Sequence, residues 1–432
     1  MRKRTLVVAL LATLVAALAV AATVSAGKSP TKSGHNTAVK GSITALAVWT
    51  GAEGAAFQAV LKGFHAKYPG VKVSYKSATD PAAALSTSVQ GGNPPDVAAL
   101  PSPGLMKDFA NRGALKPITF AKGTVASNFS ADWLRFGSVN GKLYGVFFKG
   151  ANKSTVWYNV HAFKNAGVTP PSDWATLIKD GKTLRASGIP AYSVGGADGW
   201  TLTDLFENLY IRAAGPAKYD QLTDHKIPWT DASVKSTLKL MAQVYGDKGN
   251  IAGNPLQTDF PTSVTNVFQP SKPKAAMVFE GDFVPGVAAG QTKAKPKTDY
   301  NVFKFPAVSG KGGSDVVGGG DVVVMFKDNP GARALIGYLA TPGAAEIWAK
   351  RGGYSSPNKN VPASSYPDAI TRTTATALAK ATTFRFDMSD LAPAAFGGGH
   401  EFADLQAFLR APSNINGATK KLESDAKKDW AK

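Results

Sequence analysis

Residues 140–159, NGKLYGVFFKGANKSTVWYN, carry five aromatic rings in twenty positions: Tyr144, Phe147, Phe148, Trp157 and Tyr158. Ring faces of this kind cover the flat C–H patch of a pyranose, while carboxylates, amides and basic side chains hold the hydroxyls around its rim. Further rings lie close in sequence to acids. Glu53 follows Trp49, Asp198 and Asp204 flank Trp200, Glu280 and Asp282 precede Phe283, and Asp387 and Asp390 precede Phe396. Asp321 sits in an apolar run, where a carboxylate is costly to bury unless it is paired.

Other chemistries find less support. The chain has no cysteine, so thiolate zinc sites, thiol nucleophiles, disulfides and a lipid-modified N-terminal cysteine are all excluded. His35, His65, His161, His225 and His400 share no metal-ligand spacing, and no phosphate loop or dinucleotide fingerprint occurs. Neither a metal nor a cofactor is expected. The formal charge of +19 suggests nucleic acid. However, the basic residues are scattered and never interleave with aromatics in a run, which argues against it. A basic surface suits an anionic cell envelope.

These residues need elements to position them. The apolar run 42–49 reads as a strand, and Phe57, Val60, Leu61 and Phe64 repeat at helical spacing. Pro69-Gly70 stops that helix, and Val71, Val73 and Tyr75 alternate as a second strand, giving a βαβ unit with parallel strands. Val97 to Leu100 form another strand, followed by a helix through Leu105, Met106 and Phe109 that ends near Gly113. Open α/β sheets bind ligands beyond the carboxyl ends of their strands, which directs attention to Trp49, Glu53 and Ser102.

At the N-terminus, Arg2, Lys3 and Arg4 precede an apolar run and then Val24-Ser25-Ala26, the layout of a secretory signal over residues 1–26. An uncleaved membrane anchor is the rival reading. Residues 27–40 read as a polar tether. The remaining length is more than one core usually supports, so two domains are expected.

The stretches VWTGAEGAAFQAVLKGFHAKYPGVKV, GNPPDVAAL, FKNAGVTPPSDWATL, KPKAAMVFEGDF, VVGGGDVVVM and ALIGYLATPGAAEIWAKRGGYSSPNKNV, in this order, resemble family 1 extracellular solute-binding proteins. These are the maltose-binding-protein-like carbohydrate subunits of ABC importers. The likeness covers almost the whole chain after residue 40, and residues 318–396 look most like binding proteins for α-glucosides. It implies an α/β, two-lobed periplasmic-binding-protein fold of type II, each lobe a mixed sheet flanked by helices. Lobe one is expected at 41–149 plus 322–362 and lobe two at 150–321 plus 363–432. Residues 149–155 and 318–322 would be hinge crossings, although the glycine triplet also suits a tight turn. The implied protein is an exported monomer that delivers an oligosaccharide to membrane permease subunits.

The expected ligand-binding set is Trp49, Glu53, Ser102, Phe148, Trp157, Trp200, Glu280, Asp282, Phe283, Asp321, Asp387 and Phe396. Phe57, Phe64 and Phe109 read as core, and Trp174 as packing behind an Asp173 cap. Strand alternation lets at most one of Trp157 and Tyr158, and one of Phe147 and Phe148, face a cleft. Phe283 stands where the family usually has Trp. Glu280 and Asp282 are open to a solvated role, and Asp387 to a bridge with Arg385. A secreted glycoside hydrolase, which needs two carboxyls at a defined separation, and a binder of an anion or peptide are the alternatives.

Overall fold

The computed structural model describes residues 38–78, 80–379, 381 and 383–431. The expected signal segment and most of the expected tether lie outside the described residues. In chain order the strands are β1 Gly41–Ala47, β2 Val71–Ser77, β3 Val97–Leu100, β4 Ser138–Val139, β5 Lys142–Leu143, β6 Gly145–Asn152, β7 Thr155–Asn159, β8 Tyr192–Ser193, β9 Met277–Phe279, β10 Tyr300–Lys304, β11 Val316–Met325 and β12 Phe384–Phe386. One mixed sheet has the order β12-β11-β3-β1-β2, with β6 also paired to β11; a second has the order β10-β7-β9-β8.

The first βαβ unit forms as its pattern predicts. Ile43, Ala45 and Ala47 alternate inward, the helix Gly51–Lys67 buries Phe57, Val60 and Phe64, and β1 and β2 pair in parallel from Gly41↔Val71 to Ala47↔Ser77. Phe109 is buried too, and Asp173 caps the helix Trp174–Ala186 above a buried Trp174.

Separate cores define two lobes. Trp49, Phe57, Phe148, Val322 and Trp348 belong to one cluster, whereas Val156, Phe206, Val317 and Phe396 belong to another, extended by a smaller cluster around Trp157 and Phe268. The chain therefore changes core between Phe148 and Val156, and again within β11 between Val317 and Val322. After residue 363 it contributes to both, with Tyr366, Ala375 and Phe386 in the first core and Ile370 beside Trp157.

Residues 140–159 differ from a simple strand pair. β6 and β7 do not pair with each other: β6 joins β11 in the first sheet, and β7 lies between β10 and β9 in the second. The expected turn at 149–155 is strand as far as Asn152. Gly318, Gly319 and Gly320 are likewise extended, opposite Asn152, Ala151 and Gly150, and form no tight turn. None of the three has a positive φ. Crowding explains them instead. A Cβ at Gly318 would lie 2.8 Å from the Ala151 carbonyl oxygen and 2.5 Å from the Phe384 ring, and one at Gly320 would lie 2.8 Å from the Lys149 carbonyl oxygen. The register shifts between Asp321 and Val322, leaving Phe148 as the extra residue of a bulge.

Candidate functional site

The β6–β11 ribbon that links the lobes has two unlike faces. Gly150 and Gly318 look toward Leu378, in the helix Ala369–Ala379. The other face carries Lys149, Ala151 and, one step past the strand, Lys153; opposite them stand Asp321 and Gly319. A Cβ at Gly319 would lie 3.2 Å from Lys153 Cε and 3.4 Å from Asp390 Oδ2, so the small residue admits the lysine.

Lys149 is buried, Lys153 is largely so, and both are paired. Lys149 Nζ bonds Glu53 from the first turn of the helix Gly51–Lys67. Burial alone would draw its pKa down, but Glu53 and Asp321 outweigh that and raise it. Lys153 Nζ bonds Asp387 and stands 3.2 Å from Asp204 Oδ1 and 4.0 Å from Asp390 Oδ2. Against its own burial, these acids hold its pKa well above the usual lysine value. In turn, burial pushes the Asp204 carboxyl up to about 7 despite Lys153. Asp387, equally buried, is held below the usual carboxylate range by Lys153.

Three half-buried rings close over this face. Trp200 opens the helix Trp200–Ala214, Phe260 opens Phe260–Val267, and Phe283 immediately precedes Val284–Ala289. Their centroids are 4.9 Å (Trp200–Phe260), 5.7 Å (Phe260–Phe283) and 6.1 Å (Trp200–Phe283) apart. Asp198 Oδ2 accepts from the Phe260 N–H at 2.5 Å and joins two of the helix starts. Lys153 Nζ lies 5.7 Å from the Trp200 ring, and Lys149 Nζ lies 5.3 Å from Phe283 and 5.9 Å from Trp348 of the first lobe. Rings from one core, acids from both and two lysines on the ribbon thus meet in one place.

Of the expected residues, Glu53, Trp200, Phe283, Asp321 and Asp387 come together here. Trp49 supports them from behind: it is fully buried against Phe57 and Trp348, and its indole N–H donates to Asp321 Oδ2 at 2.5 Å. The others require correction. Ser102 caps the helix Pro103–Asn111 by accepting from the Leu105 N–H at 3.1 Å. Phe148 is core, packed on Trp49 and Tyr354, while Phe147 is core on the opposite side of the sheet against Trp133. Neither Trp157 nor Tyr158 faces the cleft. Trp157 is fully buried beside Phe268, with its N–H donating to the Gly281 carbonyl at 3.1 Å, and Tyr158 packs on Phe163. Phe396 fills the second core between Trp229 and Trp430.

Glu280 and Asp282 are neither solvated nor on the cleft face. Asp282 accepts from the Asn152 N–H at 3.1 Å and the Ser355 hydroxyl at 2.5 Å, bracing the ribbon against a third passage between the lobes where Ser355 bridges Gly150. Its burial pushes its pKa up to about 6. Glu280 borders a water-sized cavity with Ser193, Thr201 and Tyr245, and burial followed by Asp204 drives its pKa well up. Arg385 pairs with Asp220 at 2.5 Å, not with Asp387.

Sequence reasoning missed Lys149, Lys153, Phe260 and Trp348. A signal existed for Phe260, because Asp259-Phe260-Pro261 has the cap and first-turn proline of a helix start. Among the described residues no group of three or more His, Asp or Glu side chains is placed to hold a metal ion.

Two α/β lobes with separate cores, joined by an antiparallel ribbon whose polar face gathers groups from both, define a two-lobed binding protein. Residues 49–346 match the bacterial extracellular solute-binding proteins, and the chain belongs to that family. It is 32% identical to the osmoprotective compounds-binding protein GgtB of Synechocystis sp., over 85% of this chain and 88% of that one. It is 31% identical to the alpha-glucosides-binding periplasmic protein AglE of Rhizobium meliloti, over 89% and 87%. Among solved structures, the bacterial solute receptor AcbH, described as having an exclusive preference for β-D-galactopyranose, superposes with a TM-score of 0.81 at 19% identity, over 90% of this chain and 99% of that one. That last likeness is one of fold.

Proposed function

We propose that this chain captures a neutral oligosaccharide of the α-glucoside class between its lobes, outside the cytoplasm, and delivers it as a monomer to the permease of an ABC importer. The observation that carries the reading is the triangle of Trp200, Phe260 and Phe283 above two lysines that already have carboxylate partners. Ring faces suit the C–H patch of a sugar, and the charged groups beneath suit its hydroxyls. The name of the α-glucosides-binding relative supports a glucoside, and that of the osmoprotective compounds-binding relative supports a small solute. An anion fits poorly, because Lys149 and Lys153 are each engaged by acids and would have to abandon them. Hydrolysis is no part of the reading: Glu53 and Asp387 are both tied to lysines, and the named relatives are binding proteins.

The mechanism is a population shift. Ligand contacts made by both lobes favour the closed arrangement, and the permease distinguishes closed from open. A thermal-shift screen with trehalose, maltose, sucrose and raffinose, set against phosphate and amino acids, tests the function. A ligand at a hundred times its Kd adds about 2.7 kcal/mol of stability. The expected result is a shift with at least one glucoside; a shift with phosphate or an amino acid alone overturns the reading.

A further inference from the structure

The two lobes meet at a place where there is no room for a side chain. Gly353 follows the helix Pro342–Ala349 with φ of +62°, and a Cβ there would lie 2.7 Å from the Cα of Gly286. A Cβ on Gly286, in the helix Val284–Ala289, would lie 3.1 Å from the Gly353 Cα. The neighbours show that separate cores are being joined. Val284 and Ala288, on either side of Gly286, pack in the cluster with Trp157, whereas Ala349 and Tyr354 pack in the cluster with Trp49.

Gly286 needs no special backbone conformation, since its φ is not positive. Inside a helix, glycine is about 1 kcal/mol less favourable than alanine. Its reason for being there is therefore the neighbour across the seam. The seam is also coupled to the site. The Gly286 N–H donates to the Phe283 carbonyl oxygen at 3.0 Å, and that oxygen lies 3.7 Å from where a Gly353 Cβ would be. Phe283 is the ring that sits over Lys149.

We infer that Gly286 and Gly353 are positioning residues for ligand capture: their backbone contact is the stop against which the lobes close, and it sets how near Phe283 and Trp200 come to Glu53 and Trp348. The inference rests on the two-lobed capture reading, but neither glycine has a side chain that could itself hold a ligand. A side chain at 286 opposes only the closed arrangement, because opening the lobes relieves the clash. Packing within one lobe would behave differently, since its loss would weaken the open and closed forms alike.

The test is a graded series, Gly286→Ala and Gly286→Leu, with Gly337→Ala as control. Gly337 lies in the helix Pro330–Leu339, and a Cβ there would meet nothing within 4 Å. Three readouts are taken: the unliganded Tm, the Kd for whichever of trehalose, maltose, sucrose or raffinose shifts the unsubstituted protein most, and the radius of gyration by small-angle X-ray scattering. The expected result is that Gly286→Ala has an unliganded Tm no lower than the unsubstituted protein, that Gly286→Leu raises Kd by about tenfold or more, as overpacking a closed interface does, and that its scattering radius is larger. The control leaves Kd unchanged. A Gly286→Leu protein with unchanged Kd and radius, or one whose unliganded Tm falls while Kd holds, overturns the inference. If none of the four sugars shifts the unsubstituted protein, the sugar reading fails by itself, and the radius of Gly286→Leu decides the seam.

Discussion

The indole N–H of Trp49 donates to the Asp321 carboxylate at 2.5 Å, fastening the end of the first strand to the strand that passes between the lobes. Burial raises the pKa of Asp321, against the opposing pull of Lys149 and of this bond. Trp49→Phe keeps a ring against Phe57 and removes the donor. A buried acceptor left unmatched costs about 1–3 kcal/mol, and that loss is expected in chemical denaturation. The loss should grow from pH 5 to pH 8, because the carboxylate form is the one that needs the donor. A variant equally stable at both pH values would show that the bond contributes nothing.

Among the described residues, Lys153 is the single cation paired with Asp204, Asp387 and Asp390. Lys153→Met leaves the buried Asp204 and Asp387 without a counter-charge, and the expected destabilisation is about 3–5 kcal/mol at neutral pH. Urea denaturation measures it. Since the cost comes from ionised acids, it should shrink toward pH 5; a loss below about 1 kcal/mol at pH 7, typical of a surface pair, would contradict the pairing.

The sign of the pH effect at Asp204 follows from its raised pKa. The folded carboxyl titrates at about 7 and the unfolded one at 3.8, so folding favours the protonated form. Its contribution is fully present below the unfolded value and is lost as pH climbs through the folded value. Asp204→Asn should therefore flatten the decline in Tm between about pH 4 and pH 7. An unaltered slope would place the titration elsewhere.

Two tryptophans separate binding from folding. Trp200 is half-buried at a helix start, so Trp200→Ala should weaken glucoside binding by tenfold or more, about 1.4 kcal/mol of lost stacking, with little change in Tm. Trp157 lies wholly inside the second lobe, so Trp157→Ala should cost about 3–5 kcal/mol of stability. Calorimetry of both variants with the same sugar is the check, and a reversed pattern would exchange their roles.

Local periodicity made much of the fold legible. The 3.6-residue recurrence of Phe57, Val60 and Phe64 and the alternation of Val71, Val73 and Tyr75 specify a helix and a strand whatever lies around them. The basic half of the site was not legible in this way. Lys149 and Lys153 look like polar turn residues until β11, far away in sequence, pairs with β6 and gives them a common face. Phe148 was misjudged for a related reason, because the bulge at Asp321 makes it an extra residue outside simple alternation. Trp157 offered two faces by alternation, and only the helices Phe260–Val267 and Val284–Ala289 determine that both are covered. The glycine triplet was expected to supply conformational freedom, whereas close approach of two strands is what requires it. Trp200 is legible as a ring on a Gly-rich loop opening a helix beside Asp198 and Asp204, and Phe283 only through the family resemblance, since the family usually has Trp at that place.

The most direct measurement is a crystal structure with an α-glucosyl disaccharide such as maltose or trehalose bound. The account predicts a pyranose stacked on Trp200 or Phe283, with its hydroxyls within hydrogen-bond reach of Glu53, Lys149 or Lys153 and both lobes touching it. A sugar held by one lobe alone away from these rings, or a cleft that takes only a charged solute, would contradict it.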